Sequence, residues 1–359
     1  MFRITSFTID VNNNPNGIYV YNDSATPVTR IRIDHNKILN AKGRGVYIIG
    51  TVFGVADNNT LETFDHGMDS EGTDVLQWQV LDREYGNAQN FYFEDNILII
   101  NGTGAFHAGG NGGRYVARYN SYSGNTGNMS PVFDMHGNQY LKSQGGHHGG
   151  MIVEFYGNSI NLGNYGAGTY FAHRGGWGLF FYNGIISASS TTQLMVWEEF
   201  DDTDFPGGTN FIQKVTNSYY WNNRRNNSTL LSTIIDMDLY QREPNIPNNP
   251  PALIENREFW NHNTSYNGTT ELGIYCGDSL PTYCTMGDGA WITTQSCSDL
   301  TGMIGTHPTT PIKGTLYKCT APNVWTAYYT PYTYPHPLRM EGNTAPNPPT
   351  NLKILKWQE

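Results

Sequence analysis

The sequence predicts an all-β solenoid, in which short strands coil so that each pairs in parallel with its copy one turn later. The chain of 359 residues contains 40 Gly and 24 Tyr, its aromatic content is 13%, and only 14% of its residues are charged. This composition is typical of short strands and tight turns. No stretch of about a dozen residues has the period of an amphipathic helix. An asparagine recurs at regular spacing, which indicates stacked repeats.

Six segments share an asparagine inside a short run of alternating apolar residues: IDHNKIL, FEDNILI, ARYNSYS, EFYGNSI, FFYNGII and KVTNSYY. A weaker copy, VADNNTL, fills the first gap, so the repeated asparagines are Asn36, Asn59, Asn96, Asn120, Asn158, Asn183 and Asn217. The unit is about 24 residues long, with about a dozen extra residues in alternate turns, as in solenoids. We expect each asparagine to adopt the left-handed conformation at a fixed turn and to hydrogen-bond the next asparagine.

On this pattern the chain resembles the right-handed parallel β-helix, or pectate-lyase-like, superfamily over about residues 1 to 265. The resemblance implies a right-handed parallel β-helix with a long exposed cleft that acts on a polysaccharide. A leucine-rich-repeat horseshoe is the main competing fold, but it needs a leucine frame that this sequence lacks. Because the end of a solenoid needs covering, we expect either a missing N-terminal cap or a partner subunit there.

The chain changes character after about residue 265, which predicts three units. Residues 1–265 form the solenoid, 266–340 form a Cys-, aromatic- and Pro-rich segment that packs on it, and 341–359 form a linker or tail. An even number of cysteines in one segment predicts one or two disulfides, with the pairing left open, and an oxidising, extracellular compartment. The cysteines are Cys276, Cys284, Cys297 and Cys319.

The charge of the chain limits the classes of partner. The formal net charge is −10, and the Lys and Arg residues are scattered rather than clustered. This distribution disfavours nucleic acid, because a polyphosphate partner requires a basic surface. No apolar run is long enough to predict a membrane span. A polysaccharide is the partner that we predict.

Four segments that follow asparagine turns align with one another: GAFHAGG, VFDMHGN, YFAHRGG and MVWEEFD. Parallel turns stack at about 4.8 Å, so equivalent residues would form a column on the solenoid surface. Side chains alternate between faces, which places Asp134 and His136 on one face and Arg174 opposite to His173. We predict a catalytic group at this column: Asp134, His136, His173, Arg174 and Glu198.

Imidazoles and carboxylates in one column suit acid–base chemistry on a long polymer. In the lyases of the superfamily that the chain resembles, a basic residue removes the proton next to a uronate carboxylate, which calcium or another basic residue neutralises. The resemblance implies that His136 or His173 is the base and that Arg174 neutralises the carboxylate. A hydrolase remains an alternative, because two carboxylates two turns apart would be separated by about 10 Å, near the upper end of the inverting range. The polygalacturonase pattern is only half matched, by GGHHGG, and R-I-K is absent.

Further residues are candidates for substrate binding, because imidazoles hydrogen-bond sugars and aromatic rings stack on them. They are His107, His147, Tyr165 and Trp177. A rival hypothesis is a non-catalytic glycan-binding adhesin, a phage-type receptor binder or an extracellular structural protein, in which the same column is a recognition face.

Metal binding is a lesser alternative. His107, His136 and His173 on neighbouring turns could converge on a transition metal. The acidic strings at 65–74 and 201–204 could hold Ca²⁺ through oxygen ligands, although they lack the EF-hand spacing. No other cofactor is predicted.

Overall fold

The computed structural model of the protein describes residues 1–63, 65–73, 82–102, 104–124, 133–137, 149–163, 169–187, 193–196, 215–235 and 253–341. Within them the chain is almost all β, and up to its last few solenoid strands it visits three sheets in rotation, so that every third strand belongs to the same sheet. Almost all neighbouring strands of these sheets are parallel. The strand order is consistent with a β-solenoid, and we call one circuit through the three sheets a coil.

Sheet A contains the strands that precede each asparagine turn. Its inner face contributes to the main core, and its outer face carries a second apolar cluster. Its strands, numbered in chain order, are β1 (Phe2–Thr5), β4 (Val28–Asp34), β7 (Val52–Asp57), β10 (Phe91–Glu94), β13 (Arg114–Arg118), β16 (Ile152–Tyr156), β19 (Trp177–Phe181), β22 (Ser218–Trp221) and β26 (Phe259–Asn261).

Sheet B follows the asparagine turns, and its strands are short. Its strands are β2 (Thr8–Asp10), β5 (Lys37–Ala41), β8 (Thr60–Thr63), β11 (Ile97–Ile100), β14 (Ser121–Gly124), β17 (Ser159–Asn161), β20 (Gly184–Ile186), β23 (Arg224–Arg225) and β24 (Thr229–Leu230), the last of which is antiparallel.

Sheet C closes each coil and carries the residues predicted to form the site. Its strands are β3 (Asn16–Asn22), β6 (Arg44–Gly50), β9 (His66–Glu71), β12 (His107–Gly110), β15 (Phe133–Met135), β18 (Thr169–His173), β21 (Gln193–Val196) and β25 (Thr233–Ile235).

A buried asparagine ladder links the coils, as the repeat predicts. Each amide Nδ2 donates to the Oδ1 of the next asparagine, for example from Asn96 to Asn120 at 3.0 Å and from Asn120 to Asn158 at 3.1 Å. The same Oδ1 atoms also accept from backbone N–H groups, so the ladder satisfies turns that would otherwise be buried without partners. Its members are Asn36, Asn59, Asn96, Asn120, Asn158, Asn183 and Asn223.

Two details of the predicted ladder are wrong. Asn223 occupies the last position instead of Asn217, because ladder asparagines stand two residues after a sheet A strand, whereas Asn217 precedes β22. The left-handed conformation belongs to the residue before each ladder asparagine, such as His35 (φ 54°) and Tyr119 (φ 56°). That residue makes the turn, and the asparagine amide is left to bond its neighbours.

The C-terminal segment lies against the outer face of sheet A. It forms a small sheet of β27 (Ile274–Gly277), β28 (Gly289–Ile292), β29 (Thr315–Ala321) and β30 (Val324–Tyr329), followed by the short helix α1 (Pro337–Met340). The Trp291 ring packs 5.1 Å from that of Trp221, and the Tyr334 ring packs 4.4 Å from that of Tyr119.

Two disulfides tie this segment, joining Cys276 to Cys297 and Cys284 to Cys319. The prediction of one or two disulfides is confirmed, and they indicate an oxidising environment. Among the described residues, no helix combines the length and the apolar character that crossing a bilayer requires.

Candidate functional site

The outer face of sheet C carries two columns of side chains. In the first, Tyr47 pairs with Asp69, and further along Ala108 pairs with Asp134. In the second, Glu71 pairs with Gly110. The odd-numbered residues Phe133 and Met135 point into the core, so their neighbours Asp134 and His136 point outward.

The structure brings together Asp134, His136 and Arg174, which we call the Asp134 cluster. The Arg174 guanidinium donates from Nε to Asp134 Oδ1 at 2.8 Å and from Nη2 to Oδ2 at 2.7 Å, which is the bidentate geometry of a strong ion pair. Arg174 Nη2 also contacts His136 Nδ1, and His136 Nε2 lies 3.5 Å from Asp134 Oδ2. The side chains of Asp134, His136 and Arg174 are 12%, 22% and 11% exposed. The cluster is therefore set into the sheet but reachable from solvent.

The contact between Arg174 and His136 bears on the role of the imidazole. A guanidinium only donates hydrogen bonds, so a ring nitrogen of His136 that bonds Arg174 Nη2 must accept. A ring nitrogen that can accept is also what a general base requires.

The prediction that His173 faces solvent beside His136 is wrong. His173 pairs with Met135, one position earlier than His136, and shares the inner face with Phe171. Its Nδ1 lies 2.5 Å from Tyr220 Oη and its Nε2 lies 2.9 Å from the Gly175 carbonyl. Burial lowers the pKa of His173 to about 3. It is a core histidine, and Arg174 takes the outward position next to His136.

His107 also lies in the core rather than on the substrate side. It pairs with Phe133 and is 0% exposed. Its Nδ1 contacts the Met68 carbonyl at 2.6 Å and its Nε2 contacts Tyr122 Oη at 2.8 Å. Burial lowers the pKa of His107 to about 4. Since His107 and His173 point inward and His136 points outward, the three do not converge on a metal ion.

Trp177 begins β19 on sheet A, on a different sheet from the Asp134 cluster. Its ring lies 6.1 Å from that of Tyr85, and the Arg83 guanidinium lies 4.6 Å from its centroid. The remaining predicted site residues lie outside the described residues: Glu198, His147 and Tyr165.

A second ionic group on sheet C was not predicted from the sequence. We call it the Asp69 cluster: Arg44, His66, Asp69 and Glu71. Asp69 Oδ2 accepts from Arg44 Nε at 2.8 Å and lies 2.8 Å from His66 Nδ1. Burial disfavours the charged imidazole, but the Asp69 carboxylate outweighs it and raises the pKa of His66 to about 9. His66 is therefore a cation at neutral pH.

This cluster occupies part of the acidic string that could be interpreted as a Ca²⁺ loop. Residues 66–71 form a strand instead, with Met68 in the core and Asp69 and Glu71 outward. The alternation of apolar and acidic residues was the signal in the sequence that could have identified it. Within the described part of the chain, no group of three or more His, Cys, Asp or Glu residues is arranged to hold a metal, and the string at 201–204 lies outside that part.

Comparisons of the chain with protein-family models, with curated proteins and with solved structures find no match. The resemblance to the pectate-lyase-like superfamily therefore rests on the parallel stacked strands and the asparagine repeat.

Proposed function

We propose that this protein is a secreted right-handed parallel β-helix of the pectate-lyase-like kind. It binds a polysaccharide along the outer face of sheet C and cleaves it at the Asp134 cluster. The observation that carries this proposal is the Asp134 cluster itself, which combines an imidazole with a guanidinium at a partly exposed position. The two disulfides support an extracellular location.

The cluster favours elimination over hydrolysis. Glycoside hydrolysis ordinarily uses two carboxyl groups that flank the bond. Asp134 is the one carboxylate in the described cluster, and Arg174 holds both of its oxygens. Asp69 lies two strands away and is 0% exposed, with its oxygens taken by Arg44, His66 and the Ala108 amide. The imidazole and the guanidinium supply the base and the charge that elimination needs.

In this reaction, His136 takes the proton from the sugar carbon next to the uronate carboxylate. The electrons of that C–H bond form a carbon–carbon double bond, and the bond to the glycosidic oxygen breaks. The leaving oxygen takes up a proton from water, and His136 later returns its proton to water. The products are an unsaturated sugar end and a new reducing end. Arg174 stabilises the negative charge that develops on the carboxylate, and Asp134 orients Arg174.

His136 Nδ1 contacts Arg174, so this nitrogen must be released from the guanidinium before it can act as a base. A substrate carboxylate that attracts the guanidinium would free that nitrogen. Substrate binding and activation of the base are thereby coupled at one residue.

A non-catalytic glycan binder is the second candidate. Arg174 is already paired with Asp134 through both carboxylate oxygens. A self-neutralised ion pair suits a recognition face that hydrogen-bonds sugar hydroxyls. The experiment below distinguishes this function from cleavage.

The test is incubation of the protein with acidic and neutral polysaccharides, with and without Ca²⁺, followed by ultraviolet absorbance of unsaturated ends and by a reducing-end assay. Elimination gives both signals, and His136→Ala and Arg174→Ala each lower the rate by about 100-fold or more. The matched controls are His307→Asn, a 64% exposed histidine outside sheet C, and Arg257→Ala, which precedes β26.

New reducing ends without ultraviolet absorbance would show that the reaction is hydrolysis and not elimination. Neither signal with any polysaccharide, together with measurable binding, would establish the binder.

A further inference from the structure

Three tyrosines lie together on the outer face of sheet C, near its β3 end. Tyr19 and Tyr21 are 50% and 52% exposed, and Tyr47 is partly exposed. The rings of Tyr19 and Tyr21 are 6.1 Å apart and nearly parallel, at 12°, and the rings of Tyr19 and Tyr47 are 5.6 Å apart. We call this group the tyrosine platform.

The platform differs from the other aromatic groups on the outer surface of the solenoid. The tyrosines on the outer face of sheet A, such as Tyr92, Tyr156 and Tyr219, are buried beneath the C-terminal segment. Within the part of the chain that the structure describes, Tyr19 and Tyr21 are by contrast about half exposed to solvent. An aromatic face that is held rigidly on a strand and left open is the kind of surface that binds ligands.

The surroundings of the platform fit a sugar. Tyr47 Oη donates to Glu71 Oε2 at 2.7 Å, and Tyr21 Oη donates to Asp23 Oδ2 at 3.3 Å. The Arg44 guanidinium lies 4.3 Å from the centroid of the Tyr47 ring. Flat rings can cover the C–H face of a pyranose while carboxylates accept hydrogen bonds from its hydroxyls. Asp23 and Glu71 outnumber Arg44, so a neutral sugar suits this position better than a uronate.

The platform also aligns with the Asp134 cluster. Tyr21 pairs with Ile49, Ile49 pairs with Glu71, and Glu71 pairs with Gly110. His136 continues this ladder, because its N–H donates to the Gly109 carbonyl at 2.7 Å. Tyr21 and His136 are thus four strand spacings apart, or about 19 Å. Gly110 and Ala108, which lie between them, carry no side chain larger than a methyl group.

We propose that the tyrosine platform is a distal subsite that stacks on neutral sugar rings of the polysaccharide whose chain reaches the Asp134 cluster. The inference rests on the proposed function for the nature of the ligand, but it requires binding and not cleavage. It follows that the preferred ligand is a chain of several sugar residues that carries neutral sugars beside any uronate.

The test is direct binding, measured by calorimetry and by affinity electrophoresis against soluble neutral polysaccharides (a galactomannan, a xyloglucan and a mixed-linkage glucan), a polyuronate and a mixed neutral–uronate polymer. The His136→Ala background prevents cleavage during the measurement. We expect Tyr19→Ala/Tyr21→Ala to weaken binding about tenfold. Tyr19→Phe/Tyr21→Phe keeps the rings and should stay within about twofold of the parent.

Tyr283→Ala is the matched control, because Tyr283 is 55% exposed but lies in the C-terminal segment. The affinity of this variant should not change. Thermal unfolding of every variant separates loss of a ring from loss of the fold.

Unchanged affinity in the double Ala variant would overturn the platform, as would binding of the polyuronate alone or no binding to any polymer. Neither of the first two results affects the cleavage assay, so the proposed function would stand on its own measurement. Conversely, loss of affinity in the double Ala variant of a protein that cleaves nothing would retain the platform and overturn catalysis.

Discussion

The outer faces of sheets A and C both carry arginine–carboxylate pairs, and the two pairs differ in their exposure to solvent. On sheet A, Arg118 and Glu94 form a pair at 2.7 Å and both side chains are 0% exposed. On sheet C, Arg174 and Asp134 are 11% and 12% exposed. The difference is the C-terminal segment, which covers sheet A alone among the described parts of these faces. An outward charge on a solenoid is therefore structural or available for binding according to what covers it.

The buried charges on sheet A also bind the C-terminal segment that covers them. Arg118 donates to the carbonyls of Tyr332 and Thr333 at 2.6 and 2.8 Å. Arg339 of α1 pairs in return with Glu94 at 2.8 Å. Tyr329 Oη donates to Glu154 at 2.6 Å. Arg118 and Glu94 are thus matched in part by polar groups of the segment that covers them, as burial of charge requires.

The largest effect that we expect is the loss of a covered charge. Arg118→Ala removes one buried cation that pairs with Glu94 and the donor to two carbonyls, and it should lower the free energy of unfolding by about 3 to 5 kcal/mol. Urea unfolding followed by circular dichroism measures it. Arg30→Ala is the control, since the Arg30–Glu341 pair is exposed and should contribute less than about 1 kcal/mol. Equal losses in the two variants would contradict the distinction between covered and open charges.

The ladder comes next in expected size. Asn120→Ala removes the acceptor of the Asn96 N–H and the donor to the Phe93 carbonyl, both of them buried. The free energy of unfolding of this variant should be about 2 to 4 kcal/mol lower than that of the wild type. The control is Asn161→Ala. Asn161 is exposed, and among its described bonds its Oδ1 accepts only from the Gly163 amide. This substitution should change the free energy of unfolding by less than about 1 kcal/mol. A similar small loss at Asn120 would show that the ladder does not stabilise the coils.

Histidines on the two sides of sheet C should respond to pH in opposite directions. The pKa of His66, about 9 against an ordinary 6.5, means that the protonated form stabilises the native state. That contribution is complete below about pH 6.5 and is lost as pH rises through about 9, for a total on the order of 2 kcal/mol. Unfolding of the wild type and of His66→Gln across this range measures it. Parallel curves for the two proteins would contradict the assignment.

The buried histidines change the stability of the protein at acidic pH. The pKa of His173 is lowered to about 3, so the native state keeps it neutral while the unfolded chain takes up a proton below about 6.5. Its contribution is present above that pH and is lost as pH falls toward 3. His173→Gln should therefore flatten the acid limb of the stability profile without affecting the alkaline limb. An unchanged acid limb would mean that His173 is protonated in the native state.

The smallest stability effect is expected at the open pair. Arg174→Ala should lower the free energy of unfolding by about 1 kcal/mol, since water can solvate Asp134 once its partner is gone. The same denaturation experiment measures it. A loss as large as that of Arg118→Ala would mean that the Asp134 cluster is a structural pair rather than a site.

The sequence predicted the stacking of coils well, because a buried asparagine must bond its copy and so leaves a regular mark. It predicted Asp134, His136 and Arg174 as candidates but misjudged which residues are neighbours. A shift of one residue moves a side chain to the other face of a strand, and that shift separates His173 from His136. The Asp69 cluster was missed because its acidic residues were interpreted as possible Ca²⁺ ligands, although they alternate with Met68 and Ser70 along a strand. The exposure of Tyr19 and Tyr21 could not be predicted, because it depends on which distant segments cover them and a local sequence pattern does not contain that information.

The asparagine ladder makes the coil the unit in which this molecule can change length. Insertion or deletion of residues within a loop leaves the ladder intact, whereas removal of the segment between Asn96 and Asn120 would let Asn96 meet Asn158. The distance from the tyrosine platform to His136 would then shorten by one step of about 4.8 Å. The reach of the surface along a polymer is thus a whole number of coils, and duplication of a coil would lengthen it without redesign of either end.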